Sequence, residues 1–240
     1  MPSPDPNPYP YFRPSGALRA GAESGLRAYL IQVYNYMAGG LVLTGVAAYV
    51  GAASGFYASL VGTPWLWLVL LAPLALVLLL GFRIDRMSLP AAQLAFWAYA
   101  ALVGLSLSGI FLVYTGNSIA RVFFITAATF AATSVYGYTT GRDLSRLGSF
   151  LFMGLIGVII AMVVNVFLKS TALQMTISVM GVIVFTGLSA YDTQKIKASY
   201  VYGEDGTVTG KKSIFGALML YLDFLNLFLM LMQLLGDRRR

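Results

Sequence analysis

Seven apolar runs of 19 to 27 residues occupy most of this 240-residue chain: Leu30–Ser54, Pro64–Phe82, Pro90–Tyr114, Ile119–Thr139, Leu147–Leu168, Ala172–Ala198 and Ser213–Leu235. At ~1.5 Å per residue, about 20 helical residues cross the ~30 Å hydrocarbon layer of a bilayer. In that layer every backbone N–H and C=O must be satisfied internally, which favours helices. The separators, such as Arg83–Leu89, Thr115–Ser118 and Lys169–Thr171, are too short for a second domain. The expected fold is therefore an all-α integral membrane protein, a bundle of seven transmembrane helices over residues 30–236. A composition of 58% hydrophobic and 10% charged residues agrees.

Composition also removes chemistry. The chain has no cysteine and no histidine, so thiolate catalysis, cysteine or histidine metal sites and the ordinary imidazole pH switch are excluded. No phosphate-binding loop of the GxxxxGK[ST] type occurs, which leaves ATP-driven transport without support. Net charge is +7, yet the basic residues cluster at the ends of apolar runs, where they act as topology signals rather than a nucleic-acid surface. Residues 1–16 hold six of nine prolines and are expected to be an extended tail. Ala17–Tyr29 reads as a short amphipathic stretch at the membrane surface, completing an N-terminal region of residues 1–29. Residues 237–240 form a basic C-terminal tail.

With seven crossings and a cytoplasmic N-terminus, eleven of the sixteen Lys and Arg residues fall on the cytoplasmic side. Arg238, Arg239 and Arg240 oppose this arrangement. A re-entrant last segment would remove the conflict, but Ser213–Leu235 is unbroken and free of proline, so seven full crossings are preferred.

Two of the runs carry an acid. Asp192 lies about two turns before the polar connector Ser199–Lys212, and Asp223 about three turns after it. An antiparallel hairpin brings both to similar depth. A charge buried in a membrane helix costs about 2.5–3.5 kcal/mol on insertion scales and marks a functional site by default. Two carboxylates ~4 Å apart repel by about 4 kcal/mol at an effective dielectric near 20, so the pair is expected to share a proton and titrate as a unit. Asn226 and Gln233 share the Asp223 face, and Ser178 and Ser189 share the Asp192 face, which suggests a buried polar layer. Thr126, Thr129, Thr133, Tyr136 and Thr140 line one face of the fourth segment. That seam is expected either to hydrogen-bond between helices or to line a pore. GxxxG spacings at Gly51–Gly55 and Gly137–Gly141 point to close packing within the bundle. Arg83, at the end of the second segment, reads equally as a latch reaching Asp192 or as a topology-setting charge. Lys195 and Lys197 read as headgroup contacts.

At Tyr191-Asp192-Thr193-Gln194-Lys195-Ile196-Lys197 and at Leu220-Tyr221-Leu222-Asp223-Phe224-Leu225-Asn226-Leu227-Phe228 the sequence resembles the Bax inhibitor-1 family. Arg27–Gly45 is similar to the first-helix region of bacterial members, and the likeness spans roughly residues 25–236. It implies a seven-helix bundle with helix 7 central and a pH-sensitive calcium leak. It implies that Asp192 and Asp223 match the paired aspartates of the pH sensor, and that Arg83 matches a latch arginine. Some bacterial members of the family contact a membrane-bound AAA protease. The chain departs from the fuller pattern in having no acid in its second segment and in the sequence Arg238-Arg239-Arg240.

The function expected is a non-enzymatic, pH-sensitive calcium or cation leak in a bacterial plasma (inner) membrane, by a monomer without cofactor. Asp192 and Asp223 would form a weak, transient Ca²⁺ site, supported by Asn226, Ser189, Tyr191 and Tyr221. Ca²⁺ prefers six to eight oxygens, more than this set supplies. The alternatives are a non-transporting scaffold that regulates a membrane partner and an intramembrane aspartyl protease. The second lacks the GxGD motif, because Leu220, Tyr221 and Leu222 precede Asp223.

Overall fold

The computed structural model describes residues 16–239. The proline-rich stretch therefore lies almost wholly outside the described residues, as does Arg240. Nine helices follow one another within the described part: α1 Gly16–Ala53, α2 Phe56–Leu60, α3 Trp65–Arg83, α4 Leu89–Leu107, α5 Gly109–Val113, α6 Gly116–Thr139, α7 Ser145–Leu168, α8 Thr171–Ser199 and α9 Gly206–Leu235. Seven spans among the described residues are long and apolar enough to cross a membrane, with α4 and α5 together making one of them. No β-strand occurs among the described residues. The protein is an all-α, multi-pass membrane protein.

The polar separators do more than interrupt the apolar runs; they start the next helix. Ser88 accepts a hydrogen bond from the Ala91 N–H ahead of α4, Thr115 from Ser118 ahead of α6, and Ser170 from Leu173 ahead of α8. Asp205 does the same for α9 through Thr207. Each side chain satisfies one of the N–H groups that a helix start leaves unpaired.

Three elements differ from the sequence-based expectation. First, the surface stretch Ala17–Tyr29 and the first span form one continuous helix. Its early residues pack on protein: Gly21 and Gly25 leave room for the rings of Tyr202 and Tyr200, and Tyr29 Oη is 3.0 Å from Ser199 Oγ. Second, the third run breaks at Ser108, separating α4 from α5. Third, the first connector contains the short helix α2, bounded by Gly55 and Gly62 at positive φ.

Burial is unequal. In the most apolar window of α9, 72% of residues are buried, against 11–33% in the other six spans. Helix α9 packs on α8, α1, α6 and α4, while α3 leans mainly on α4 and α7 on α8. Close approach of these helices needs glycine. A Cβ on Gly104 would sit 2.5 Å from the Thr44 carbonyl oxygen, and one on Gly137 would collide with the Ala190 carbonyl. Gly137 thus serves packing of α6 on α8, whereas Gly141 and Gly55, the second glycines of the two spacings, lie outside the helices with nothing within 4 Å of a Cβ.

The two ends differ chemically. At the end holding the α3–α4, α6–α7 and α8–α9 connectors, Lys211 Nζ donates to Asp85 O (3.0 Å), Lys197 Nζ to Tyr138 O (2.8 Å), and Lys212 Nζ to Glu204 (2.6 Å). At the opposite end, α9 finishes beside the α5–α6 connector. There Thr115 N donates to Asp237 O, Arg239 N donates to Val113 O, and Arg121 pairs with Asp237 at 3.0 Å. Helix α9 therefore runs the full depth of the bundle, and the re-entrant alternative is not the structure. Arg238 and Arg239 sit away from the main basic cluster.

Candidate functional site: a carboxyl pair inside the bundle

Helices α8 and α9 form an antiparallel hairpin that keeps one register throughout. Ile196 meets Gly216 near the connector; Gly181 meets Met230 and Ser178 bonds Gln233 toward the other end. This register brings the side chains of Asp192 and Asp223 within hydrogen-bonding reach of each other. Asp223 is only 5% exposed, and its Oδ2 has no hydrogen-bond partner among the described residues. Asp192 is half-buried. An unpaired carboxylate in so apolar a setting is costly.

The aromatic and hydroxyl groups around the pair are fixed tightly. Tyr221 is fully buried, lies 2.6 Å from Thr44 Oγ1 through its hydroxyl, and packs edge-on against Tyr99 and Phe96. Thr44 in turn donates to Ala100 O at 2.9 Å, so Tyr221 is the donor to Thr44. Tyr191 is half-buried against Gly148 of α7. Thr193, next to Asp192, donates to Ser189 O at 2.8 Å, and its Oγ1 lies 3.2 Å from Ser134 Oγ of α6. Gln194 clasps the α6–α7 connector, accepting from Leu144 N (2.9 Å) and donating to Arg142 O (2.8 Å).

Other expected site residues fall elsewhere. Arg83 is exposed at the end of α3 and makes no ion pair or hydrogen bond among the described residues. Because α3 leans on α4 rather than α8, Arg83 is not held against Asp192, and the latch contact is not formed. Lys195 lies one turn further along α8 than Asp192, with its ammonium 5.9 Å from the Tyr191 ring centroid. Ser189 donates to Phe185 O and Asn226 to Leu222 O, each within its own helix. Neither completes a polar shell around the acids. The single polar layer expected across the bundle is instead two separate clusters. Gln233 lies ten residues beyond Asp223, about 15 Å along the helix. There it joins Ser178, Gln174 and Asn165 in a cluster of its own.

The threonine seam of α6 is neither of the two arrangements expected. Thr126, Thr129 and Thr133 all donate to carbonyls of α6 itself, and Tyr136 is 49% exposed. The buried face is Val122, Thr126, Phe130, Ser134 and Gly137. Its small residues fit against α8, and of the seam only Thr126 lies on it. Among the described residues no group of three or more His, Cys, Asp or Glu side chains converges.

Comparison with known proteins agrees with this framework. A family model described as "Inhibitor of apoptosis-promoting Bax1" matches residues 26–240. The chain belongs to the Bax inhibitor-1 family. It is 48% identical over 220 residues to the inner membrane protein YbhL of Escherichia coli K12, covering 90% of this chain and 94% of YbhL. It is 50% identical over 218 residues to RP147 of Rickettsia prowazekii, covering 90% and 92% of the two chains. A Streptococcus pyogenes membrane protein, SpyM3_0260, is 33% identical over 218 residues, covering 90% and 95%. As in the sequence reading, the family match takes in every span and both aspartates.

Proposed function

We propose that this Bax inhibitor-1 family protein is a pH-sensitive leak for calcium and related cations, gated by a proton shared between Asp192 and Asp223. The observation that carries the reading is the meeting of the two carboxyl groups inside a membrane bundle, with Asp223 buried and its Oδ2 without a hydrogen-bond partner among the described residues. Two carboxyl oxygens hydrogen-bond only when one carries a proton. Removing it leaves two like charges in an apolar setting and forces α8 and α9 apart. On one side of the pair a cleft reaches Ile196 and Met219, each one turn from an aspartate. On the other side Leu227, Phe228 and Leu231 are buried and apolar. This arrangement fits a closed path that opens when the pair separates.

Leu220 and Tyr221 are both fully buried beside Asp223, which leaves no room for an extended substrate and supports a non-catalytic role for the acids. The distribution of Lys and Arg supports a cytoplasmic N-terminus, and the name of YbhL supports a bacterial inner membrane.

The test is Ca²⁺ entry into liposomes holding the purified chain, across a pH series, with Asp192→Asn and Asp223→Asn alongside. Wild type should pass more Ca²⁺ as the pair gives up its proton, and both variants should lose that pH response. Equal flux and equal pH response in all three proteins would remove the proposal. A chain that passes no Ca²⁺ but co-purifies a membrane-bound AAA protease would replace it with the regulator reading.

A further inference from the structure

We infer that the cleft at the basic end of the bundle binds the phosphate headgroup of an anionic phospholipid. The cleft has a volume of about 440 Å³ and lies where α3 ends, α8 ends and α9 begins. That is the level at which the apolar spans give way to charged connectors, and so the depth of the lipid headgroups.

Its walls divide by chemistry. Ile84, Ile196, Phe215 and Met219 line it with apolar side chains, and Lys195, Lys211 and Lys212 with basic ones. The three lysines are not equivalent. Lys212 is neutralised by Glu204 at 2.6 Å and also donates to Ser199 O. Lys211 makes one bond, to the neutral carbonyl of Asp85. Lys195 makes no hydrogen bond or ion pair among the described residues and lies 5.9 Å from the Tyr191 ring centroid. Lys195 and Lys211 thus both line the cleft, and neither makes an ion pair among the described residues. The Asp85 carboxylate lines it as well, but Arg83 and Arg86 flank that residue in the same exposed turn.

The cleft also opens toward lipid. Because α3 leans mainly on α4, its outer surface is bare: Phe82 is 82% exposed, Leu78 49% and Leu79 43%. Acyl chains can lie along this face while the phosphate turns in toward Lys195 and Lys211. A phosphate diester offers several acceptor oxygens to ammonium donors, and each Lys at a membrane surface adds measurably to anionic-lipid affinity. Choline lipids bring a cation into the same space and should bind less well. The site is independent of whether the aspartates pass ions, because its occupancy is read by binding alone.

The experiment is native mass spectrometry of the purified full chain in neutral detergent, with phosphatidylglycerol and phosphatidylcholine at equal concentrations. Wild type should retain phosphatidylglycerol preferentially. The double variant Lys195→Gln/Lys211→Gln should retain it about tenfold less well or worse, and Lys169→Gln, at the opposite end, should behave as wild type. The single variant Lys195→Gln removes no contact that holds the fold, and should show an intermediate loss if the double variant fails to fold. Equal retention by wild type and the lysine variants, or no preference for phosphatidylglycerol, would overturn the site. Displacement of the lipid by millimolar inorganic phosphate would also overturn it, showing a pocket for free anions instead.

Discussion

Tyr221 and Thr44 show how one buried hydroxyl pair carries direction as well as distance. The single Thr44 proton goes to Ala100 O, so Tyr221 must donate into Thr44 Oγ1. Removing either partner therefore has unequal consequences. Tyr221→Phe leaves Thr44 satisfied and should cost about 0.6 kcal/mol, the average for a hydrogen bond between membrane helices. Thr44→Val strands the buried tyrosine hydroxyl and should cost about 1–3 kcal/mol. Thermal unfolding in detergent would rank the two, and an equal loss would contradict the donor assignment. Asp205 offers a second prediction at this scale. Hydrogen bonds from Thr207 and Val208 hold its carboxyl below the usual carboxylate range. A depressed folded-state value gives stability that is present above the unfolded value and lost as pH falls through the folded one. Wild type should be more stable than Asp205→Ala at neutral pH, with the difference vanishing in acid well below the ordinary aspartate range. Unfolding curves for both proteins at the two pH values check this.

Helix contacts set a different kind of limit. Gly137 lies so close to the Ala190 carbonyl that no Cβ fits, whereas Gly157 on α7 has nothing within 4 Å of the same position. Gly137→Ala should therefore separate α6 from α8 and cost about 1–3 kcal/mol. Gly157→Ala should be neutral, or stabilising by up to about 1 kcal/mol through helix propensity. Comparing the melting temperatures of the two variants decides the matter. The seam on α6 teaches the complementary lesson. Threonines at helical spacing share a face, yet each is satisfied by a carbonyl one turn back. Polarity in a membrane helix does not by itself require a partner helix.

At the level of the whole molecule, chain crossing number is testable because the sequence has no cysteine. Single cysteines at Asn117 and Arg238 should label from the same side of the membrane, and one at Asp143 from the other. Labelling of Arg238→Cys together with Asp143→Cys would contradict a fully crossing α9. The same arrangement explains why the Arg238–Arg239 segment stands apart from the main basic cluster. Its backbone is tied to Val113 and Thr115 by hydrogen bonds from each segment to the other, and Arg121 accompanies it.

Run length and apolarity, read along the chain, were enough to give the seven spans, because the energy of burying backbone in lipid depends on local composition and on little else. The spacing of Asp192 and Asp223 about a short polar connector restricts their relative depth, since an antiparallel hairpin has few registers. Helix placement around the hairpin was not written locally. Whether Arg83 meets Asp192 depends on which helix α3 leans against. Whether Asn226 and Ser189 face the acids depends on rotations of less than one residue step. The distance of Arg83 from Asp192 and the lysine-rimmed cleft come from contacts between residues far apart in the chain. Only packing decides those, because apolar helix faces of similar composition are interchangeable until steric fit selects among them.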